Sequence, residues 1–107
     1  MRTDLSKATF IIPIRIESAD RMRNVITTIA FLLENFETNI IVKEVDSRSI
    51  FQEEAMPILK DICDVPVNVH HIFEESHEPL FHRQRVLNEM IMEAKTEIVV
   101  NYDCDVI

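Results

Sequence analysis

The stretch ATFIIPI at Ala8–Ile14 decides the fold class, because it is an almost continuous apolar run. A run of this length is typical of a strand buried on both faces, as in parallel sheets covered by helices. Pro13 lies near its end and has no N–H donor, so we expect strand pairing to stop there.

The segment that follows this strand has the spacing of an amphipathic helix. Ser18 is suited to cap the helix, which would place Asp20 in the first turn, near the positive end of the helix dipole. Apolar residues recur at helical spacing and predict the buried face: Met22, Val25, Ile26, Ile29, Leu32, Leu33 and Phe36.

The middle of the chain continues the alternation of strands and helices. Asn39–Val45 predicts a second strand, and Val65–Phe73 predicts a third strand at a sheet edge. The helix between them is interrupted at Pro57, which predicts either a kink or a helix that starts later than Ser49. Of the pair His70-His71 on the third strand, we expect one side chain to be exposed and the other packed.

The last third of the chain predicts one more helix and one more strand. Leu80–Lys95 has helical spacing, and Ile98–Tyr102 is a short apolar strand. The residues expected to face inward on this helix are Val86, Leu87, Met90, Ile91 and Ala94.

This β-α-β-α-β-α-β order predicts a single α/β domain over residues 1–107, a three-layer, doubly wound, mainly parallel four-stranded sheet of Rossmann type. The two most apolar strands, the first and the fourth, are expected to be central, which gives the strand order 3-2-1-4. Ligands of such sheets bind beyond the carboxyl ends of the strands, where the strand order reverses. Here that crevice would lie between Pro13–Glu17 and Asn101–Asp105.

Composition excludes several classes of function. The chain contains no glycine, so neither a glycine-rich dinucleotide fingerprint nor a P-loop is present. Its net charge of -8 disfavours binding to a nucleic-acid backbone. No apolar run reaches the roughly 20 residues of a membrane span, and no signal peptide is visible, so we expect a cytoplasmic protein. Cys63 and Cys104 belong to no metal-binding pattern and are expected to be reduced, largely buried thiols.

Two carboxylates stand directly after the fourth strand, at Asp103 and Asp105. Side chains at this spacing can both reach one cation through a tight bend. Oxygen ligands suit Mg²⁺ or Mn²⁺, which often takes its remaining ligands from water and a diphosphate. The position at the expected reversal of strand order favours a metal site over two solvated loop residues.

Three stretches together resemble the start of family 2, the large group of inverting glycosyltransferases with the GT-A fold: ATFIIPIR, IIVKEVDS and FHRQRVLNEMIMEAKTEIVVNYDCDV. The resemblance covers almost the whole chain and is most specific over Phe81–Val106. It implies a donor that is a nucleoside-diphosphate sugar, most commonly a UDP-sugar, and a divalent metal, Mn²⁺ or Mg²⁺.

On the side of the first two strands, the resemblance implies three donor-binding residues and one alternative. Pro13 and Arg15 would border the nucleotide. Glu44 would stand near the base, and Asp46 is the alternative if the turn is shifted. Many members have adjacent acids followed by glycine here, whereas this chain has Glu44-Val45-Asp46-Ser47.

On the side of the third helix and the fourth strand, the resemblance implies four more residues. Arg83 and Asn88 would help to order the donor. Asp103 would face the ribose, and Asp105 would coordinate the metal. Members of the family continue into a second half with the acceptor site and the catalytic base, so we expect this chain alone to be inactive.

Two other interpretations compete with a glycosyltransferase. The acids could serve solubility or a partner in a non-catalytic doubly wound binding or assembly module. A phosphatase with an aspartate nucleophile is disfavoured, because its motif normally follows the first strand, whereas this motif follows the fourth.

The fourth strand also predicts self-association. If its outer edge has no partner strand, it leaves apolar surface near Val99, Val106 and Ile107. Two copies could satisfy each other through a twofold contact, so we expect a homodimer through the C-terminal strand.

Overall fold

The computed structural model describes residues 2–102, which contain a four-stranded parallel sheet in the order β3-β2-β1-β4. The strands are β1 (Thr3–Ile14), β2 (Phe36–Asp46), β3 (Val69–Glu75) and β4 (Ile98–Asn101). The α-helices are α1 (Ala19–Asn35), α2 (Met56–Ile62) and α3 (Arg83–Glu93). The predicted α/β class, parallel pairing and strand order are confirmed. Among these residues, no helix is long and apolar enough to cross a membrane.

Helices cover both faces of the sheet, as a doubly wound fold requires. The α1 and α2 helices pack on one face, and α3 packs on the other. Each face has its own cluster of buried apolar side chains, and the cluster under α1 and α2 is the larger. The sheet therefore forms the middle of three layers.

The first helix begins where its cap predicts. The Ser18 side-chain oxygen accepts a hydrogen bond from the Arg21 N–H at 3.2 Å. The buried residues of α1 all belong to the predicted face: Val25, Ile26, Ile29, Leu32 and Leu33. The helix ends at Asn35. Phe36, which was predicted to belong to its buried face, is extended (φ -135°, ψ 141°) and begins β2 directly.

The second crossover begins with a π-helical turn, Phe51–Ala55, which leads into α2. Pro57 lies in the first turn of α2, where a missing N–H costs no intrahelical bond. Of the two alternatives predicted from Pro57, a kink or a helix that starts later than Ser49, the structure shows a π-helical turn directly after Ile50 and an α-helix that begins at Met56. The Ser49 Oγ caps the beginning of this segment by accepting a hydrogen bond from the Gln52 N–H at 3.2 Å.

Each of the two edge strands differs from its prediction in one respect. Strand β3 is at an edge, as predicted, but it begins at Val69 because the Asn68 N–H turns back to the Pro66 carbonyl at 3.1 Å. Strand β4 is the other edge of the described sheet, as the predicted order 3-2-1-4 places it, although its apolar residues predicted a central strand, and Ile98 is 54% exposed. Apolar composition alone does not reveal how many neighbours a strand has.

The third helix is shorter than predicted and buries a narrower face. Its buried residues are Val86, Leu87 and Met90, and Ala94 packs at the margin of the same cluster. Ile91, which the spacing predicted to face inward, is 52% exposed. In the part of the chain that the structure describes, α3 has no neighbouring helix on its face, so nothing covers that side of it.

Within the described residues, Pro13 coincides with the end of pairing on one side of β1 only. Pairing with β4 stops after Ile11, whose carbonyl accepts a hydrogen bond from the Tyr102 N–H at 3.1 Å, whereas pairing with β2 continues to Ile14. Backbone groups of successive strand residues point to alternate neighbours, so Pro13 faces the β4 side, as Ile11 does. The prediction is wrong toward β2, where no N–H from Pro13 is needed, and toward β4 the residues after Tyr102 lie outside those described.

The carboxyl ends of the strands meet at one edge of the sheet. Pro13 pairs with Lys43, and Glu44 pairs with Ile14 on one side and with Phe73 on the other. The prediction that Pro13 and Glu44 share this edge is confirmed. Asp103, the third residue of that prediction, lies outside the described residues, as does Asp105.

The backbone makes its turns without a left-handed residue. Among residues 2–102, no φ angle is positive and no peptide bond is cis. A chain that contains no glycine can adopt this fold because none of its described turns requires the conformations that favour glycine.

Candidate functional site at the carboxyl edge of the sheet

Two loops and the ends of four strands form the carboxyl edge. The loop after β2 (residues 47–50) leads to the π-helical turn, and the loop after β3 (residues 76–82) leads to α3. At the start of the second loop, the Ser76 N–H donates to the carbonyl of Asp46, the last residue of β2, at 2.8 Å. The end of β4 is joined to β1 through Tyr102 and Ile11.

Arg15 follows β1 and lies beneath the loop after β3. Its side chain is deeply buried, with the residue only 8% exposed. The guanidinium donates from Nε to the Val45 carbonyl at 2.7 Å and from Nη1 to the Glu78 carbonyl at 2.8 Å. It also lies over the Phe81 ring, 5.6 Å from the ring centroid. Arg15 thus joins β1, β2 and the loop after β3.

The charge of Arg15 has no counterion among residues 2–102. Its polar contacts are carbonyl oxygens, and no described carboxylate lies within ion-pair distance. The Nη2 nitrogen is shielded from solvent and has no hydrogen-bond partner in this part of the chain. Buried charges are normally paired, because an isolated charge loses its hydration without compensation. Arg15 is therefore a buried cation to which an anion could bind.

Glu44 has the opposite environment, because its carboxylate is fully buried and fully engaged. It accepts hydrogen bonds from four donors: Ser49 Oγ at 2.7 Å, Ile50 N–H at 3.0 Å, Phe51 N–H at 3.1 Å and His71 Nε2 at 3.2 Å. Burial acts to raise the pKa of Glu44, but the hydrogen bonds from His71, Ser49 and Phe51 outweigh it and leave the pKa below its ordinary value. The carboxylate therefore anchors the start of the π-helical turn.

The environments of Glu44 and Asp46 distinguish the two candidates for a base contact. The Glu44 carboxylate is enclosed by its donors, whereas Asp46 is only half-buried. One oxygen of Asp46 accepts a hydrogen bond from the Ser47 N–H at 2.7 Å. Asp46 is therefore the acid that a ligand at this edge can reach without disturbing the core.

Lys43 lies on the opposite face of β2 from Glu44 and is paired with two carboxylates. Its Nζ is 3.1 Å from Glu89 Oε1 and 3.7 Å from Glu74 Oε1. Arg85 joins the same two carboxylates, at 2.9 Å from Glu89 and 3.0 Å from Glu74. The hydrogen bond from Arg85 is the main reason why the pKa of Glu74 is lowered. This network connects β2, β3 and α3 and leaves no charge for a ligand.

Arg83 and Asn88, both on α3, lie at different distances from the edge. Arg83 is the first residue of α3, and its Nη2 is 3.5 Å from Asn101 Oδ1 at the end of β4. Asn88 is five residues further along the helix, or about 7.5 Å of helical rise. It is exposed and accepts a hydrogen bond from Gln84 Nε2 at 3.3 Å. The structure therefore brings Arg83, but not Asn88, to the end of β4.

An open cleft of about 740 Å³ lies between the end of β3, the loop after it and the start of α3. Its carboxylates, on Glu74, Glu75 and Glu78, outnumber its guanidinium groups, on Arg83 and Arg85. Glu78 Oε2 is also 3.0 Å from His82 Nε2. An anion without a metal would therefore be attracted to Arg15 rather than to this cleft.

Metal binding has no candidate cluster in residues 2–102. Among these residues, no group of three or more His, Cys, Asp or Glu side chains could hold a metal ion. The predicted ligands Asp103 and Asp105 lie outside the described residues. Cys63, predicted to be largely buried, is a half-buried thiol whose pKa is raised mainly by burial, and Cys104 lies outside the described residues.

Several of these residues were not identified as site residues from the sequence. His71 was predicted to be packed or exposed, and it is the packed member of its pair, but its contact with Glu44 was missed. Phe81 and the Glu78 carbonyl, which hold Arg15, were also missed. A charged residue inside an apolar strand requires partners, so Lys43 and Glu44 gave a signal that such contacts exist, without naming them.

Comparison of the chain with protein-family models, with curated proteins and with solved structures found no match.

Proposed function

We propose that this chain binds a nucleoside-diphosphate sugar at the carboxyl edge of its sheet, as the donor-binding portion of a metal-dependent inverting glycosyltransferase. The sugar would be transferred to an acceptor, and the resemblance implies that the catalytic base belongs to another part of the enzyme. The observation that supports this proposal most directly is the buried Arg15 guanidinium, which has no counterion among residues 2–102.

A diphosphate is the ligand chemistry that suits this edge. In open parallel sheets, ligands bind beyond the carboxyl ends of the strands, where the strand order reverses between β1 and β4. Arg15 stands just beyond β1, and Arg83 contacts Asn101 at the end of β4. Guanidinium groups bind phosphate oxygens through directed, charge-assisted hydrogen bonds. Two of them on either side of the reversal would bind two phosphate groups.

The metal would be held by Asp103 and Asp105, which follow Tyr102 directly in the sequence. Two carboxylates form a donor set of the kind that Mg²⁺ and Mn²⁺ prefer. When bound, such a cation neutralises the charge that develops on a diphosphate leaving group. The acidic cleft beside Glu75 and Glu78 is compatible with a ligand whose charge is balanced by a metal.

The base of the nucleotide would lie near Asp46. Of the two acids that the resemblance implies, Asp46 has the more accessible carboxylate, while Glu44 is enclosed by its hydrogen-bond donors. Uridine remains the proposed nucleotide on the resemblance alone, and a cytoplasmic location remains a prediction.

Titration with uridine diphosphate and Mn²⁺, followed by NMR, tests this proposal. We expect binding at about 1 mM, or about −4 kcal/mol, because only part of the donor site belongs to this chain. Binding should weaken on addition of a chelator and in the variant Asp105→Ala. Asp61→Ala on α2 is the matched control, because Asp61 is an exposed aspartate far from this edge.

The same titration distinguishes the competing interpretation. Binding of micromolar strength that neither a chelator nor Asp105→Ala reduces would contradict a metal-bridged diphosphate. It would favour a non-catalytic binding module of the same fold. No binding of any nucleotide diphosphate, with Arg15 intact, would remove the support for donor binding.

We also propose that two copies associate through β4. This strand is an edge of the described sheet, and Ile98 on it is 54% exposed. Unpaired N–H and C=O groups on such an edge favour pairing with another strand. Light scattering of the chain and of Ile98→Lys would test this, because the added charge should reduce the apparent mass to that of a monomer. A wild-type chain that is monomeric at high concentration would contradict the proposal.

A further inference from the structure

The loop after β3, residues 76–82, is attached to the sheet at few points. At its start, the Ser76 N–H donates to the Asp46 carbonyl. In its middle, the Glu78 carbonyl accepts from Arg15 Nη1, and near its end the Phe81 ring lies against the same guanidinium. The intervening Leu80 is 70% exposed and adds no packing. Phe81 also packs at the margin of the apolar cluster under α3, so Arg15 takes part in two of the attachments without being their only support.

The same loop contacts the guanidinium that would bind an anion, through the Glu78 carbonyl and the Phe81 ring. The Nη2 nitrogen of Arg15 is shielded from solvent and has no partner in the described part of the chain. The Nη1 nitrogen is already bonded to the Glu78 carbonyl at 2.8 Å. An anion cannot reach Nη2 while that nitrogen is shielded. It would also compete for Nη1 with a neutral carbonyl, which is the weaker acceptor.

We propose that the loop of residues 76–82 is a gate over Arg15, so that anion binding and loop opening are coupled. In the closed state, the guanidinium holds the loop through the Glu78 carbonyl and the Phe81 ring. In the open state, the same nitrogens bind an oxyanion of the phosphate or diphosphate class. The proposal rests on the proposed function only for the identification of that anion as the diphosphate of a donor.

The coupling has a quantitative consequence. A ligand that binds only the open state has an apparent affinity reduced by the fraction of molecules that are open. Weakening the closed state must therefore strengthen anion binding, although the altered residue makes no contact with the anion. Removing the Phe81 ring deletes a cation–π contact, which corresponds to a gain in apparent affinity of roughly two- to fivefold.

The test uses inorganic pyrophosphate with a chelator present and no nucleotide, monitored by NMR in the full chain. We expect Phe81→Ala to bind pyrophosphate roughly two- to fivefold more tightly than the wild type, and Arg15→Met not to bind it. Phe81→Leu, which keeps an apolar side chain, provides a folded variant if Phe81→Ala unfolds, and it should show a smaller gain. In the wild type, pyrophosphate should accelerate hydrogen exchange of the loop amides relative to those of β1.

Each other outcome overturns the gate. If both Phe81 variants bind pyrophosphate no more tightly than the wild type, the loop does not control access. If pyrophosphate slows exchange of the loop amides, the loop closes on the anion rather than opening. If Arg15→Met still binds, the anion binds elsewhere. Since nucleotide and metal are absent from this test, loss of uridine diphosphate binding alone would contradict the proposed function and leave the gate intact.

Discussion

The carboxyl ends of β1 and β2 bury charge in opposite ways. On β2, Lys43 lies between Glu74 and Glu89, and Glu44 on the other face accepts four hydrogen bonds. Directly after β1, Arg15 has polar contacts only with carbonyl oxygens, together with a contact to an aromatic ring, among the residues described. A buried charge with a full set of partners stabilises a fold, whereas one without a counterion leaves an interaction for a ligand to make.

The largest effect should come from Glu44. Replacing it in Glu44→Ala leaves the Ser49 hydroxyl and the N–H groups of Ile50 and Phe51 without an acceptor, so we expect the free energy of unfolding to fall by about 3 kcal/mol. Urea unfolding measures this. Glu37→Gln, at an exposed position of the same strand, should change it by less than about 0.5 kcal/mol. A loss for Glu44→Ala no larger than that of the control would contradict the anchoring role.

A smaller loss is expected at Lys43. In Lys43→Met, Glu74 and Glu89 keep only Arg85 between them, and the free energy of unfolding should fall by about 1–2 kcal/mol. Both carboxylates are partly exposed, which limits the effect. Pyrophosphate binding should not change. Lys60→Met on the exposed side of α2 is the control, and equal destabilisation by both variants would mean that the network contributes nothing specific.

Arg15 is more deeply buried than most charged residues, yet its removal should cost less. In Arg15→Met, the lost hydrogen bonds to the carbonyls of Val45 and Glu78 are balanced by the removal of a buried charge without a counterion. We expect the free energy of unfolding to change by less than about 1 kcal/mol, while anion binding is lost. Destabilisation greater than that of Lys43→Met would make Arg15 a structural residue and remove the contrast between the strands.

The smallest effect should be a change in the pH dependence of stability. The pKa of Glu44 is lower in the folded chain than in the unfolded chain, so its stabilising effect is complete above the unfolded value of about 4.3 and is lost as the pH falls below it. Urea unfolding between pH 6 and 3 should therefore show a shallower loss in Glu44→Gln than in the wild type. A residual slope should remain, because Glu74 also has a lowered pKa. Identical slopes would contradict the assignment.

The fold was predictable because its signals are local. The apolar run at Ala8–Ile14 and the helical spacing from Met22 to Leu33 are visible in short windows of sequence. What local signals missed was the polar start of β1, where Thr3–Leu5 pairs with the first residues of β2 before the register shifts. This segment is a strand because it pairs with the neighbouring strand β2, which no short window of its own sequence reveals. The exposure of Ile91 was missed for a similar reason, because it depends on the absence of a second helix on that face of the described fold.

The candidate site was predictable in position but not in contacts. The order of strands was enough to bring Arg15, Glu44 and Asp46 to one edge. The partners of these residues, however, are distant in sequence. Arg15 and Glu78 are 63 residues apart, and Glu44 and His71 are 27 apart, so their contacts depend on the register and on the course of a loop. The periodicity of the sequence predicts neither the register of the strands nor the course of the loop.

A backbone with no positive φ angle over residues 2–102 has no described turn that demands glycine. A left-handed position admits glycine and few other residues, whatever surrounds it. On conformational grounds, each turn described in this chain is open to ordinary L-amino acids, so packing and charge become the main constraints on substitution. Over long divergence, such a chain can exchange most of its turn residues and keep its shape, and no glycine would mark those turns in an alignment.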